Sequence, residues 1–343
     1  MSQTTLNEIA RAIVAENKGI LAADESTGTI QKRFASISVE NTEENRRAYR
    51  ELLFTTKGSG DFISGVILYE ETLGQKAKDG KRFAEVLKSQ GTIPGIKVDK
   101  GAKPLTNFSG EQITEGLDGL RERLAEYHKL GAQFTKWRAV IDIAPGIPTE
   151  FCIQANAHAL ARYAALSQEA NMVPIVEPEV LMDGDHGIER CAEVTRQVHE
   201  IVFQELYEHR VDFTGMLLKP NMIIPGKKHK KQASPEDVAD WTVKTFLSSV
   251  PASVAGIVFL SGGQSEQEAT ANLNAMNARY PHLPWQLSFS YGRALQQSAL
   301  KAWAGRNENV AKGQKAYLHR ARCNGAARSG KYQPDMEKEA PAS

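Results

Sequence analysis

Short apolar runs alternate with longer, helix-like stretches along almost the whole chain. The runs begin at Gly19 (GILAADES), Phe62 (FISGVILYE), Ile93 (IPGIKVD), Phe134 (FTKWRAVIDI), Val173 (VPIVEPEV), Thr214 (TGMLLKP), Ala255 (AGIVFLSGG) and Trp285 (WQLSFSYG). Their spacing of about 30 to 45 residues suits a parallel strand followed by its crossover helix. The intervening stretches carry helix-start chemistry. Asn41 with Glu44 and Ser265 with Glu268 have N-cap spacing, and Ser234 precedes Pro235 at a first helical position. Eight β-plus-α units without a long linker predict a closed (β/α)₈ barrel in one domain, residues 1–330. The rival, a doubly wound open sheet, usually carries a glycine-rich turn after its first strand, and no GxGxxG follows Leu21. Residues 1–16 read as an amphipathic helix, an addition to the barrel as are helices near the C-terminus. Residues 331–343 are polar and proline-containing and are expected to be a mobile tail.

Length and composition are compatible with that architecture. The 343 residues suit a barrel of roughly 250 residues plus added helices. Lysine and arginine number 42 against 41 acidic residues, so no whole-chain charge argues for a nucleic-acid partner. No apolar run approaches the ~20 residues needed to span a bilayer. Cys152, Cys191 and Cys323 lie far apart, which fits a reducing compartment and gives no zinc-site spacing. The expectation is a cytoplasmic globular protein.

Chemistry in a barrel sits where its strands end, and ionisable residues recur at that place. Asp24 follows Leu21-Ala22-Ala23, Lys97 lies in GIKVD, and Lys136 and Arg138 lie in KWR. Glu177 and Glu179 follow VPIV, Lys219 follows GMLL, and Arg293 follows the SYG turn. A single charge there is often a strand-end salt bridge. Seven of eight units with a polar or charged group require a polar cavity, because unpaired buried charge is expensive. Strand alternation puts Lys136 and Arg138 on one side of the sheet and Trp137 on the other, and likewise groups Glu177 with Glu179. Lys97, Lys136 and Lys219 can then converge with Asp24 and Glu177. A lysine amine attacks a carbonyl only after losing its proton. Its ordinary pKa of about 10.4 prevents this at neutral pH unless apolar surroundings or other cations depress it. Lys219 has the most apolar lead-in, Met216-Leu217-Leu218, and ranks modestly above Lys136 as a nucleophile.

Leu260-Ser261-Gly262-Gly263 closes the seventh run, and Ser290-Tyr291-Gly292-Arg293 the eighth. Glycines let backbone N–H groups approach an anion, and Ser265 then opens a helix whose positive end faces it. The loops after strands 7 and 8 are the recurrent phosphate site of this fold, and Arg293 adds a guanidinium. A second anion site is expected at Glu25-Ser26-Thr27-Gly28-Thr29, with Lys32 and Arg33 a turn later. Two such sites flanking lysines imply a substrate phosphorylated at both ends. The basic run Lys227 to Lys231 reads as a solvated loop. Asp183-Gly184-Asp185-His186 lacks calcium-loop spacing. His158 reads as a packed helix residue.

The segments LAADESTG, NTEENRR, GIKVDKG, KWR, PIVEPE, DGDH, LLKPNM, FLSGGQS and FSYGRALQ, in this order from Gly19 to Tyr332, resemble class I fructose-bisphosphate aldolase. The resemblance implies reversible cleavage of fructose 1,6-bisphosphate to dihydroxyacetone phosphate and glyceraldehyde 3-phosphate, in glycolysis and gluconeogenesis. It implies no metal and no cofactor, and a homotetramer. Lys219 is similar to the family's Schiff-base lysine. Glu177, with Glu179 beside it, resembles the acid/base of carbinolamine formation and dehydration. Asp24 resembles the acceptor of the C4 hydroxyl proton, and Lys136 the supporting cation. Ser261, Gly262, Gly263, Ser290, Gly292 and Arg293 are similar to the C1-phosphate site. Ser26, Arg33, Lys97 and Arg138 are similar to groups near the C6 phosphate, and Arg46 matches a further substrate-linked position.

Two departures stand out. Animal members end in a tyrosine that folds over the site, whereas this chain ends Ala340-Pro341-Ala342-Ser343, and Thr29 stands where many relatives have serine. Two other functions compete: a Schiff-base aldolase for another phosphorylated sugar, and a sugar-phosphate-binding barrel without turnover. The doubled phosphate signal argues against the first. Intact Lys219, Glu177, Lys136 and Asp24 argue against the second, since a binder needs no nucleophile.

Overall fold

The computed structural model describes residues 5–339. Eight parallel strands close into a barrel: β1 (Gly19–Ala23), β2 (Ile63–Leu68), β3 (Ile93–Lys97), β6 (Phe134–Ile141), β7 (Val173–Val180), β8 (Leu217–Leu218), β9 (Gly256–Phe259) and β10 (Gln286–Tyr291). Each corresponds to one of the eight apolar runs. The remaining strands, β4 (Ala102–Pro104) and β5 (Gln112–Thr114), form an antiparallel hairpin between β3 and β6 that periodicity does not signal.

Alternation divides the apolar side chains between two cores. Ile20, Ala22, Ile67, Phe134, Ile175, Leu217 and Val258 form the inner cluster. The helix α1 (Leu6–Ile13) joins it through Ile9, Ala10 and Ile13, its N-terminus closed by a Thr5–Glu8 capping box. Small residues make room: a Cβ on Gly95 would lie 2.3 Å from the Phe134 ring, and one on Gly256 2.7 Å from Val14. The out-facing positions pack under the helices. Trp137 is fully buried and stacks on Tyr163 at 5.6 Å, on the face opposite Lys136 as alternation requires.

Capping follows the sequence at two of three places. Ser265 and Glu268 form a capping box on α10 (Glu266–Arg279), and Ser234 caps α9 (Pro235–Ser249). At the third, Thr42 and not Asn41 caps α3 (Glu43–Phe54), accepting from Asn45 N–H. Asn41 instead accepts from Arg46 at 3.1 Å. Near the C-terminus, residues 334–339 form a 3₁₀ turn. Glu337 pairs with buried Arg320 at 2.6 Å and accepts from Tyr332 at 2.9 Å. Residues 340–343, where the chain departs from animal aldolases, lie outside the described residues. Among the described residues no helix is long and apolar enough to cross a membrane.

Candidate active site

At the C-terminal ends of the strands lies a cavity of about 710 Å³. Nine lysines and arginines line it against five carboxylates, an excess that suits an anionic ligand.

Its floor is a buried charge network. The strand β8 is two residues long, but Lys219 keeps the ladder by donating its N–H to Val176 O at 2.8 Å. That places Lys219 beside the next residue of β7, Glu177, whose Oε1 lies 3.1 Å from Lys219 Nζ. Its Oε2 faces Lys136 Nζ at 3.4 Å. Lys136 also contacts Asp24 at 2.7 Å. Burial opposes the charge on Asp24, but Lys136, Lys219 and Lys97 outweigh it and hold the carboxyl well below the usual carboxylate range. Burial likewise opposes the charge on Lys136, and Asp24, Glu177 and Asp99 overcome it, so its ammonium is held above the usual lysine range. Lys136 is thus favoured in its charged form.

Sequence reading missed Asp99. This buried carboxylate accepts from Lys97 at 2.7 Å and from the N–H groups of Gly101 (3.1 Å) and Arg138 (3.3 Å), and lies 3.8 Å from Lys136. In the run IPGIKVD, an aspartate just after the strand has no feature separating it from a loop partner. Glu25, which the sequence places in the second anion-site loop, has another role. It pairs with Arg33 and Arg50 (2.7 Å) and accepts from Gln296 Nε2 (2.9 Å), so two distant segments meet on it and fix Arg33.

On the opposite rim, Ser261, Gly262, Gly263, Ser290, Gly292 and Arg293 all line the cavity. Gly263 has φ +80°, and a Cβ there would lie 2.2 Å from Met182 Cγ, so glycine is required. Ser290 Oγ is buried without a hydrogen-bond partner on the cavity wall, an open hydrogen-bonding group. Gly292 provides no side-chain cap for α11 (Arg293–Trp303), which leaves first-turn N–H groups available to an anion. The helix dipole here is that of α11. At the α10 terminus expected from Ser265 the capping box takes up the N–H groups of Ser265 and Glu268, and Ser265 is not among the lining residues.

Ser26, Arg33, Lys97 and Arg138 also line the cavity, Arg138 donating to Glu179. Arg33 NH2 would be 3.5 Å from a Cβ on Gly292, so its guanidinium reaches the Gly292 side of the cavity. Arg46 is not brought into this group; its guanidinium is bidentate to Glu71 at 2.8 and 2.7 Å and bonds Asn41. Lys227 lines the cavity and pairs with Asp183 at 3.0 Å, while Lys228, Lys230 and Lys231 are exposed, as expected of a loop. His158 is a correction: it is exposed, on the face of its helix turned away from the packed residues.

Fold and mouth define a barrel enzyme with a cationic, carboxylate-bearing cavity. The family model described as fructose-bisphosphate aldolase class-I matches residues 5–343. A probable class 1 fructose-bisphosphate aldolase of Xanthomonas axonopodis is 58% identical over 333 residues, covering 97% of this chain and 99% of the relative. A cytoplasmic fructose-bisphosphate aldolase isozyme of Spinacia oleracea is 56% identical over 324 residues, 94% of this chain and 90% of its own. The solved structure of Plasmodium falciparum fructose-bisphosphate aldolase, in complex with TRAP and a small-molecule inhibitor, superposes with a TM-score of 0.94 at 52% identity, covering 96% and 95% of the two chains. The chain belongs to the class I fructose-bisphosphate aldolases, a family of lyases.

Proposed function

We propose that this chain cleaves fructose 1,6-bisphosphate through a Schiff base on Lys219, with Glu177, Lys136 and Asp24 handling the protons and charges. The observation that carries the reading is the Glu177 carboxylate, which contacts Lys219 with one oxygen and faces Lys136 with the other.

Lys219 Nζ, as the free amine, adds to the C2 carbonyl. Glu177 is within reach to give and take the protons of carbinolamine formation and of water loss. The resulting iminium is an electron sink. When the C3–C4 bond breaks, its electron pair moves into the iminium to form an enamine, and the C4 hydroxyl proton passes to Asp24. Asp24 is free to accept that proton because its lysine neighbours keep it ionised. Glyceraldehyde 3-phosphate leaves, C3 of the enamine is protonated, and hydrolysis frees dihydroxyacetone phosphate and Lys219. Lys136, held positive, balances the carboxylates throughout.

Ser261, Gly262, Gly263, Ser290, Gly292 and Arg293 would hold the C1 phosphate, and Ser26, Arg33, Lys97 and Arg138 the C6 phosphate. Glu179 serves by holding Arg138. Binding both phosphates positions the reacting carbons between them. We further infer, from the family resemblance, a cytoplasmic homotetramer working in glycolysis and gluconeogenesis; the spinach relative is named as a cytoplasmic isozyme. Cleavage assays with a chelator present test the chemistry. Turnover of the bisphosphate should persist, exceeding that of fructose 1-phosphate, and loss of turnover would overturn the mechanism.

A further inference from the structure

A second cluster of ligand-type side chains lies on the outer helical layer. The helices α7 (Glu150–Glu169) and α8 (Ile188–Glu208) pack side by side. His158 projects from the first, Glu205 from the last turn of the second, and His209 is that helix's C-cap, four residues after Glu205. Residues at i and i+4 share one helix face. One ligand atom from each of the three lies within 4.8 Å of the others.

We propose that His158, Glu205 and His209 form a surface site for a divalent transition-metal ion, with Zn²⁺ the representative ligand. Glu205 Oε2 lies 3.1 Å from His158 Nδ1 and 3.7 Å from His209 Nδ1, and the two imidazoles are 5.0 Å apart. Ligand atoms around a tetrahedral zinc with bonds of ~2.0–2.1 Å stand about 3.4 Å from one another. His158 and Glu205 already stand close to that separation, and His209 offers a third ligand atom within 4.8 Å.

The protonation pattern is prepared as well. His209 Nδ1 lies 2.8 Å from the Glu205 carbonyl oxygen and donates its proton there. That fixes the tautomer and leaves Nε2 with its lone pair, as outer hydrogen-bond partners do for metal-binding histidines. His158 Nδ1 donates to the Glu205 carboxylate when no ion is present. The ion replaces that proton, which goes to solvent, and takes the nitrogen lone pair. Two imidazoles and a carboxylate suit Zn²⁺, Ni²⁺ or Cu²⁺ over Mg²⁺ or Ca²⁺.

The site is reachable. His158 is exposed, and it and His209 border a surface depression of about 600 Å³ from which water can supply the remaining ligands. Arg162, Asp118 and Glu122 line the same depression, while Arg121 is paired with Glu169 at 2.7 Å. The site is separate from the cleavage chemistry and does not depend on it. Its effect is to tie two neighbouring helices together.

Another group, His319, Cys323 and Glu337, has comparable spacing. There Glu337 is already held by the buried Arg320 guanidinium, which repels a cation. It serves as the control.

The test uses the full, untagged chain stripped with a chelator, titrated with ZnCl₂ by calorimetry and thermal melting. One ion per chain and a rise in Tm are expected. His158→Ala and Glu205→Gln should each weaken binding at least about tenfold and abolish the Tm rise. Their zinc-free Tm and cleavage rate should match the parent's, which separates this site from the reading of the barrel mouth. Binding unchanged by both substitutions, or abolished by His319→Ala, would overturn the assignment.

Discussion

The Glu177 carboxylate stands 3.1 Å from Lys219 Nζ. Lys136 lies 3.4 Å from its other oxygen, so a single side chain bridges the proposed nucleophile and a fixed cation. All three are almost completely buried, a placement that in a packed interior requires mutual partners.

Replacing the bridge tests its role as acid and base. Glu177→Gln keeps the shape and removes the proton traffic. Steady-state kinetics should show kcat lower by roughly 10²–10⁴-fold, the range of general acid–base catalysis. A kcat within a factor of two of the parent's would remove Glu177 from the mechanism.

Asp24 and Lys136 give a prediction about pH. Asp24 titrates below its ordinary 3.8, so the stability it contributes is complete above 3.8 and is lost as pH falls through its folded value. Lys136 titrates above its ordinary 10.5, so its contribution is complete below 10.5 and is lost as pH rises through its folded value. Urea melts should therefore place Asp24→Asn well below the parent at pH 7. The gap should narrow below pH 3.8, where the parent loses its own advantage. Parallel curves for the two proteins down to acid would contradict the pairing.

The glycine rim can be probed at one atom. Gly263→Ala places a Cβ 2.2 Å from Met182 Cγ at a φ of +80°, and should cost at least about 1 kcal/mol of stability. It should also raise KM for the bisphosphate more than it lowers kcat. Unchanged KM would move the phosphate away from this loop.

The barrel was legible in the sequence because each strand falls in an apolar-rich run set off by polar, helix-like stretches. Lys136 and Trp137 show the strength of that signal: a one-residue alternation sends one to the mouth and the other under Tyr163. The β4–β5 hairpin escaped because Ala102–Thr114 has no such run. Asp99, and the anchoring role of Glu25, escaped for another reason. Their importance lies in partners that folding brings from afar, Lys136 to one, Arg50 and Gln296 to the other. Arg46 was grouped with the substrate by its motif, while Glu71, 25 residues away, claims its guanidinium. His158 misled because α7 is apolar on several faces. Its buried positions include Ile153, Ala157, Leu160 and Ala164, and they leave 158 facing outward.

The account turns on Lys219, and reductive trapping tests it most directly. The protein is incubated with fructose 1,6-bisphosphate or dihydroxyacetone phosphate, treated with borohydride, digested and mapped by mass spectrometry. Hydride converts the iminium to a stable secondary amine on the lysine that formed it. The account predicts the three-carbon phosphate adduct on the peptide carrying Lys219, and none at that peptide in Lys219→Arg. An adduct on Lys136 or Lys97 in place of Lys219, or full turnover by Lys219→Arg, would contradict it.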